Sequence, residues 1–197
     1  IACGTASSVA LEYVTEQFNL PVIGVVSSTA EAAAAATVNK KIGIIGTPGT
    51  VSSGAYERRI KALDGEIEVL PRACPMFVPL VENGYTDGTA ARLIAEDYLT
   101  PLKDAGVDTV ILGCTHYPLL KGVISDIMGS GTALIDSGAP TARYARDLLE
   151  QRGMLACREA EYKYFVSDTV DNFSYYGSLY MRREISGGVS RIDIERY

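Results

Sequence analysis

Short apolar runs alternate with longer amphipathic stretches along this chain, and the two periodicities predict strands and helices in turn. Strand-like runs are Pro21 to Val26, Lys41 to Gly46, Glu66 to Leu70, Thr109 to Leu112 and Thr132 to Ile135. Between them, Ser7 to Phe18 places Val9, Ala10, Tyr13, Val14 and Phe18 on roughly one helical face, with Ser7 or Ser8 as the cap. Thr29 to Thr37 is alanine-rich and helical, with Ser28 or Thr29 as its cap. Helices are also predicted over Ser53 to Leu63, Thr89 to Asp104, Leu120 to Met128 and Pro140 to Gln151, with Gly106 and Gly153 placed to end two of them. Residues 73–82 are mostly apolar, but Pro75 and Pro79 argue against a long regular helix there. Strand and helix repeated in this way predict an α/β fold of parallel sheet with helices on both faces.

The pattern changes after Cys157. The last stretch is rich in tyrosine (Tyr162, Tyr164, Tyr175, Tyr176, Tyr180, Tyr197), with a strand-like Tyr164-Phe165-Val166 and an alternation from Val189 to Ile194. It reads as a C-terminal appendage whose aromatic residues serve as packing surface, since no basic clustering accompanies them.

Composition narrows the functional classes. A net charge of -6 with 21% charged residues offers nothing to attract nucleic acid or an anionic membrane. The apolar runs are far too short to span a bilayer, and the first residues show no basic region followed by an apolar stretch. Four cysteines (Cys3, Cys74, Cys114, Cys157) lie far apart, without a CxxC pair, which predicts reduced thiols in a cytoplasmic protein rather than a disulfide framework. One histidine and scattered cysteines supply no zinc-ligand spacing, so no metal is expected. The chain starts without methionine, as if inside a strand, and is expected to be truncated.

The chemistry concentrates in turns. Val110-Ile111-Leu112 stops at Gly113, and Cys114, Thr115 and His116, the one histidine of the chain, follow at once. Carboxyl ends of parallel strands are where open α/β sheets bind ligands, so thiol, hydroxyl and imidazole there read as a site. A buried structural cysteine beside a hydrogen-bonded histidine is the plainer alternative. Cys3-Gly4-Thr5 makes a second strand-to-helix turn with a thiol, where backbone N–H groups favour an anion. Thr47-Pro48-Gly49-Thr50 is a third turn with hydroxyls and small residues, although such a turn alone is usually a connector. Glu82 reads either as a solvated loop acid or as a carboxylate facing a cleft.

These turns, with GTPGTVSSGAYERRI, ACPMFVPLVE and GCTHYPLL, resemble the glutamate racemases over the whole chain. The resemblance implies two pseudo-symmetric α/β domains with the site between them, the first domain (1–28 and 137–197) incomplete and the second spanning 29–136. It implies cofactor-independent interconversion of L- and D-glutamate, supplying D-glutamate for peptidoglycan. Cys3 and Cys114 then match the two catalytic thiols, Glu82 and His116 their acid/base assistants, and Gly4, Thr5, Thr47, Thr50 and Thr115 the substrate-binding positions. His116 favours glutamate over aspartate, whose racemases resemble this pattern with an acid there. The expected partner is the small-molecule substrate, with a homodimer possible in such a family. Two departures stand out: the family carries Asn where this chain has Gly4, and its opening βα unit, with an Asp-Ser pair and a Tyr-Gly turn, is missing here.

Two thiols suit such a reaction. A single base would mostly return the proton to the face it came from, so one deprotonated and one protonated group must flank the α-carbon. Cysteine, with an ordinary pKa near 8.5, reaches both states near neutrality. Competing readings are another racemase of the superfamily, an inactive binding remnant, and, less well supported, a thiol-redox protein.

Overall fold

The structure, a computed structural model, describes residues 1–181, 183–185 and 188–196. It divides into two compact units, Ile1–Met154 and Leu155–Tyr197, close to where the composition changes.

The first unit is built on a four-stranded, all-parallel sheet in the order β2-β1-β3-β4, where β1 is Lys41–Gly46, β2 Glu68–Ala73, β3 Thr109–Leu112 and β4 Ala133–Asp136. Helices α1 (Gly4–Val9), α2 (Leu11–Gln17) and α3 (Val26–Ala36) precede β1. Helices α4 (Pro48–Ser52) and α5 (Ala55–Leu63) connect β1 to β2, and α6 (Phe77–Glu82) and α7 (Gly88–Asp104) connect β2 to β3. After β3 come a 3-10 turn at Tyr117–Leu120, α8 (Lys121–Met128), β4 and α9 (Gly138–Gln151). The α/β reading therefore holds.

The two-residue period of a strand sorts side chains between the two faces. Ile42 and Ile44 of β1 and Ile111 of β3 join Ala30, Ala33, Tyr56 and Ile60 from α3 and α5 in one buried cluster. Ile45, Val110 and Leu112 join Phe77, Leu80, Leu99, Leu102 and Ile124 from α6, α7 and α8 in the other. Burial on both faces explains why β1 and β3 read as continuous apolar runs. The sequence passes from β1 to β2 on one side and on to β3 on the other, so β1 and β3 meet where the strand order reverses. Crevices beyond the carboxyl ends at such a point are where ligands bind in open α/β sheets.

Several boundaries differ from expectation, each for a tertiary reason. The helix expected over Ser7 to Phe18 starts at Gly4 and is interrupted at Ala10, where α2 begins. Its cap is Cys3, whose Sγ accepts from the Ala6 N–H at 3.5 Å, rather than Ser7 or Ser8. The Ser7 hydroxyl instead donates to the Ile1 carbonyl and accepts from the Val25 N–H, tying the two segments together. Neither Ile1–Cys3 nor Pro21–Val26 forms a strand among the described residues. Ile1 N donates to Ile23 O at 2.6 Å, but a strand needs a ladder of such bonds and none forms around this one. Helix α3 accordingly begins at Val26, and Thr29 lies inside it, its hydroxyl donating back to the Val25 carbonyl rather than capping. The strand expected over Glu66 to Leu70 is shifted to Glu68–Ala73 by its pairing with β1, Lys41 opposite Glu68.

Pro101 sits inside α7 and cannot donate to the Asp97 carbonyl. Arg72 from β2 donates to that carbonyl instead, at 3.2 Å.

In the second unit, β5 (Tyr164–Val166) and β6 (Val189–Arg191) pair in parallel, and α10 (Val170–Met181), which no periodicity signalled, lies between them in sequence. Arg183 lies over the Tyr162 ring, 4.4 Å from its centroid, and donates to the Tyr164 hydroxyl. Tyr197, counted above with the aromatic tail, lies outside the described residues. Among the described residues no helix is long and apolar enough to cross a membrane.

At the edge of the sheet away from the carboxyl ends, Asp108 accepts from the Thr37 hydroxyl, the Val38 and Asn39 N–H groups and the Thr109 hydroxyl, at 2.6 to 3.0 Å. Burial pushes its carboxyl up, but these donors together outweigh that and hold it below the usual carboxylate range. A lowered folded-state pKa contributes stability above the unfolded value, near 3.9, and the contribution is lost as pH falls through the folded value. Asp108→Asn should therefore cost ~1–2 kcal/mol at neutral pH. The difference in melting temperature between parent and variant should shrink below about pH 4.

Candidate active site

Three turns converge at the carboxyl ends of β1 and β3. The register sets Ile45 opposite Leu112, and Gly113 N–H continues the ladder by donating to Ile45 O at 2.8 Å. Thr47 and Cys114 thus leave the sheet side by side.

Thr47 caps α4, its hydroxyl accepting from the Thr50 N–H at 3.2 Å, with Pro48 in the first helical turn. Thr5, on the first turn of α1, completes a triangle of hydroxyls: Thr5 to Thr47 is 2.9 Å, Thr5 to Thr50 3.0 Å and Thr47 to Thr50 3.0 Å. Thr50 is buried, and Thr5 and Thr47 are partly so. Three hydroxyls that close on one another are three donors able to turn together towards an anion.

Gly4 is buried beneath the same edge. A Cβ at Gly4 would stand 2.2 Å from the Gly113 carbonyl oxygen, closer than any side chain tolerates. The Cys3 turn therefore rests directly on the Cys114 turn, glycine against glycine. Cys3 is exposed, whereas Cys114 is half-buried. Burial pushes the Cys114 thiol up, the backbone N–H of His116 opposes that, and the charge of Cys3 adds to the rise.

His116 leads from this thiol to a carboxylate. Its Nδ1 lies 3.8 Å from Cys114 Sγ and 3.4 Å from the Thr115 hydroxyl, and its Nε2 lies 3.2 Å from Glu82 Oε1. Sulfur, imidazole and carboxylate form one chain along which a proton can pass. Glu82, at the end of α6, has a side chain 54% exposed, so it is both solvated and directed at the imidazole.

All nine residues singled out from the sequence thus fall in this one region of the first unit. Cys74 does not join them. It is fully buried, and desolvation pushes its thiol up to about 12, which leaves it inert as a nucleophile. Cys157 lies exposed in the second unit. Among the described residues no group of three His, Cys, Asp or Glu side chains could hold a metal ion.

Residues 1–145 match the sequence profile of the Asp/Glu/Hydantoin racemase family. The chain is 43% identical to the glutamate racemase of Geobacter metallireducens over 197 residues, covering 99% of this chain and 73% of that protein. It is 44% identical over 175 residues to that of Listeria monocytogenes, covering 88% of this chain and 66% of the relative. Among solved structures, glutamate racemase RacE1 from Bacillus anthracis superposes with a TM-score of 0.93 at 35% identity, over 98% of this chain and 73% of that one. Glutamate racemase from Francisella tularensis, determined in complex with D-glutamate, superposes with a TM-score of 0.91 at 30% identity, over 100% and 73%. The chain belongs to the glutamate racemases.

Two further residues of the chain support the site without having been singled out from the sequence. Tyr117 is fully buried, and its hydroxyl donates to the Cys74 carbonyl at 2.9 Å while its ring meets Phe77 edge to face at 5.1 Å. It thereby ties the turn bearing Cys114 and His116 to the start of the segment bearing Glu82. Tyr56 is buried under Gly113, where an added Cβ would lie 3.4 Å from its ring. Desolvation pushes its phenol up to about 12, with both thiols adding to the rise. The tyrosine at position 117, inside GCTHYP, was visible as a residue type, but nothing in its spacing told a floor from a surface.

Tyr117→Phe removes one of the two donors to the Cys74 carbonyl, leaving the Phe77 N–H at 3.2 Å, and should cost ~0.5–1.5 kcal/mol in denaturant unfolding. Because burial raises the Cys114 thiol, its alkylation should climb only above the pH at which a free cysteine reacts. Peptide-resolved mass spectrometry across a pH series reads this, with exposed Cys157 as the internal comparison.

Proposed function

We propose that this chain carries the acid/base machinery for cofactor-independent interconversion of L- and D-glutamate, with Cys3 acting on D-glutamate and Cys114 on L-glutamate. The observation that carries the reading is the contact of the two cysteine turns beside a triangle of threonine hydroxyls. On this reading the threonines, with Thr115, turn their donors to the substrate carboxylate and stabilise the charge that develops when the α-hydrogen leaves. One cysteine, as thiolate, takes the α-proton and becomes a thiol. The other, as thiol, delivers its proton to the opposite face and becomes a thiolate. Product release leaves the two thiols in exchanged protonation states, and the Glu82–His116 chain moves the proton at Cys114. Similarity to a family member crystallised with D-glutamate supports the substrate.

The wider reading places residues 1–28 and 137–197 in a first, incomplete racemase domain and 29–136 in a second. It assigns the chain a cytoplasmic role supplying D-glutamate for peptidoglycan, with a homodimer as a possible assembly. A second reading rests on a specific observation: the position after Cys3 is Gly4, which offers a substrate no side-chain contact. On that reading it is a remnant that no longer turns over.

Chiral chromatography of D- and L-glutamate over time tests the first reading. Cys3→Ser and Cys114→Ser should each lower interconversion by about 10²–10⁴-fold, and a parental rate in either variant would sink the two-thiol assignment. Calorimetric titration separates the remnant, because a chain that binds neither enantiomer has no working site. A panel of aspartate and hydantoins separates the other superfamily activities.

A further inference from the structure

The segment that carries Glu82 is held at its start by two phenol hydroxyls. We propose that Tyr98 and Tyr117 form a clamp that sets where α6 sits along its own axis, and with it the approach of Glu82 to His116, making both tyrosines positioning residues of the site. The proposal deepens the reading of a proton route through His116 to Cys114 and rests on it for its catalytic meaning.

Residues 74–76, between β2 and α6, are tied at three points. Cys74 N–H extends the β1–β2 ladder by donating to Gly46 O at 2.9 Å. Cys74 O accepts from the Tyr117 hydroxyl at 2.9 Å, and the Met76 N–H donates to the Tyr98 hydroxyl at 3.4 Å. Next in the chain, fully buried Phe77 meets the Tyr117 and Tyr98 rings edge to face at 5.1 and 5.3 Å. Tyr98 is itself held from β2, where the Arg72 guanidinium lies over its ring, 5.9 Å from the centroid. Tyr117 directly follows His116, so its bond joins the turn bearing the imidazole to the segment bearing the carboxylate.

Burial alone does not fix this position. Phe77, Leu80 and Val81 press α6 onto the core, but apolar burial is non-directional and resists lifting more than sliding. The directional contacts lie at the start of the helix. Glu82 is reached from them through a helix of six residues, about 9 Å long. Beyond it the Asn83, Gly84 and Tyr85 N–H groups close the helix end on the carbonyls of Pro79, Val81 and Leu80. The Glu82 backbone therefore rides on a short rigid arm, and a slide at the clamp is passed on to it. Glu82 Oε1 stands 3.2 Å from His116 Nε2, already at the long end of hydrogen-bond reach, so a slide of about 0.5 Å away ends the contact.

The test is a double-mutant cycle read at the Cys114 sulfur, and it does not require turnover. In the full chain at neutral pH, the rate of Cys114 alkylation by iodoacetamide is followed by peptide-resolved mass spectrometry, with exposed Cys157 as the internal comparison. Glu82→Gln should slow Cys114 by about two- to tenfold, the worth of one hydrogen bond transmitted through His116. Tyr98→Phe combined with Tyr117→Phe keeps both rings, removes only the hydroxyls, and should slow it by a similar factor. Adding Glu82→Gln to that pair should then change the rate by less than about 1.5-fold, because the contact it would remove is already gone.

Hydroxyls that served stability alone would lower the unfolding midpoint yet leave the Glu82→Gln effect at its full size, and that result overturns the proposal. So does parental alkylation of Cys114 in Glu82→Gln, since no coupling then runs from the carboxylate to the thiol. If the paired variant does not fold, Tyr98→Phe alone, at a ring only partly buried, carries the test. It should remove at least about half of the Glu82→Gln effect, and an undiminished effect there overturns the clamp. Failure of the two-thiol reading shows elsewhere, as retained racemisation in a cysteine variant, so the two results are distinguishable.

Discussion

The pairing of β1 with β3 is the constraint on which the site depends. Both strands are buried on both faces, so their relative position is held by a continuous ladder and by two separate apolar clusters at once. A one-residue slip would turn Ile44 and Ile45 each to the wrong cluster. The register is therefore strongly specified, and it sets the level at which Thr47 and Cys114 leave the sheet. What happens beyond the last ladder bond, Gly113 to Ile45, inherits that precision from the core rather than from the turn residues themselves.

Side chains outside the chemistry extend the same rigidity to the site. Tyr117 joins the GCTHYP turn to the Cys74 carbonyl, so the segment leading into α6 is anchored to the turn it serves. That anchorage matters because Glu82 is largely exposed and a solvent-exposed contact between side chains holds little by itself. Held by its backbone, the carboxylate meets His116 at 3.2 Å without relying on the strength of the pair. On the other face Tyr56 fills the space under Gly113, and its high pKa keeps a neutral phenol next to the two sulfurs.

Legibility from sequence followed how local each cause was. Strands Lys41–Gly46 and Thr109–Leu112 were predicted with their observed boundaries, because short apolar runs rich in β-branched residues between polar or glycine ends leave little choice. The long helix was predicted within a residue of Gly88–Asp104 by its apolar stripe and following glycine. Elements whose extent depends on a neighbour were read less well. Strand β2 was misplaced because its limits come from pairing with β1, and Pro21 to Val26 reads as a strand by composition yet has no ladder to join among the described residues. The cap of α1 was assigned to serine, a stronger hydrogen-bond acceptor than a thiol, but Ser7 is drawn away to the Ile1 carbonyl and the Val25 N–H.

The sequence by itself determined the alternation of strand and helix, the chemical identity of the groups in the turns, and the family to which their motifs point. Residue types and spacings carry that information because hydrophobic period and turn chemistry are local properties. Only the tertiary structure decided that Glu82 is directed at His116, that three threonines from separate turns close into one triangle, and that Cys74 is an inert core thiol while Cys114 is not. The same holds for Gly4. As a letter in the chain it is a missing side chain, whereas in the fold it is the surface on which one thiol turn rests against the other, because contact distance between segments remote in sequence is set by packing and not by composition.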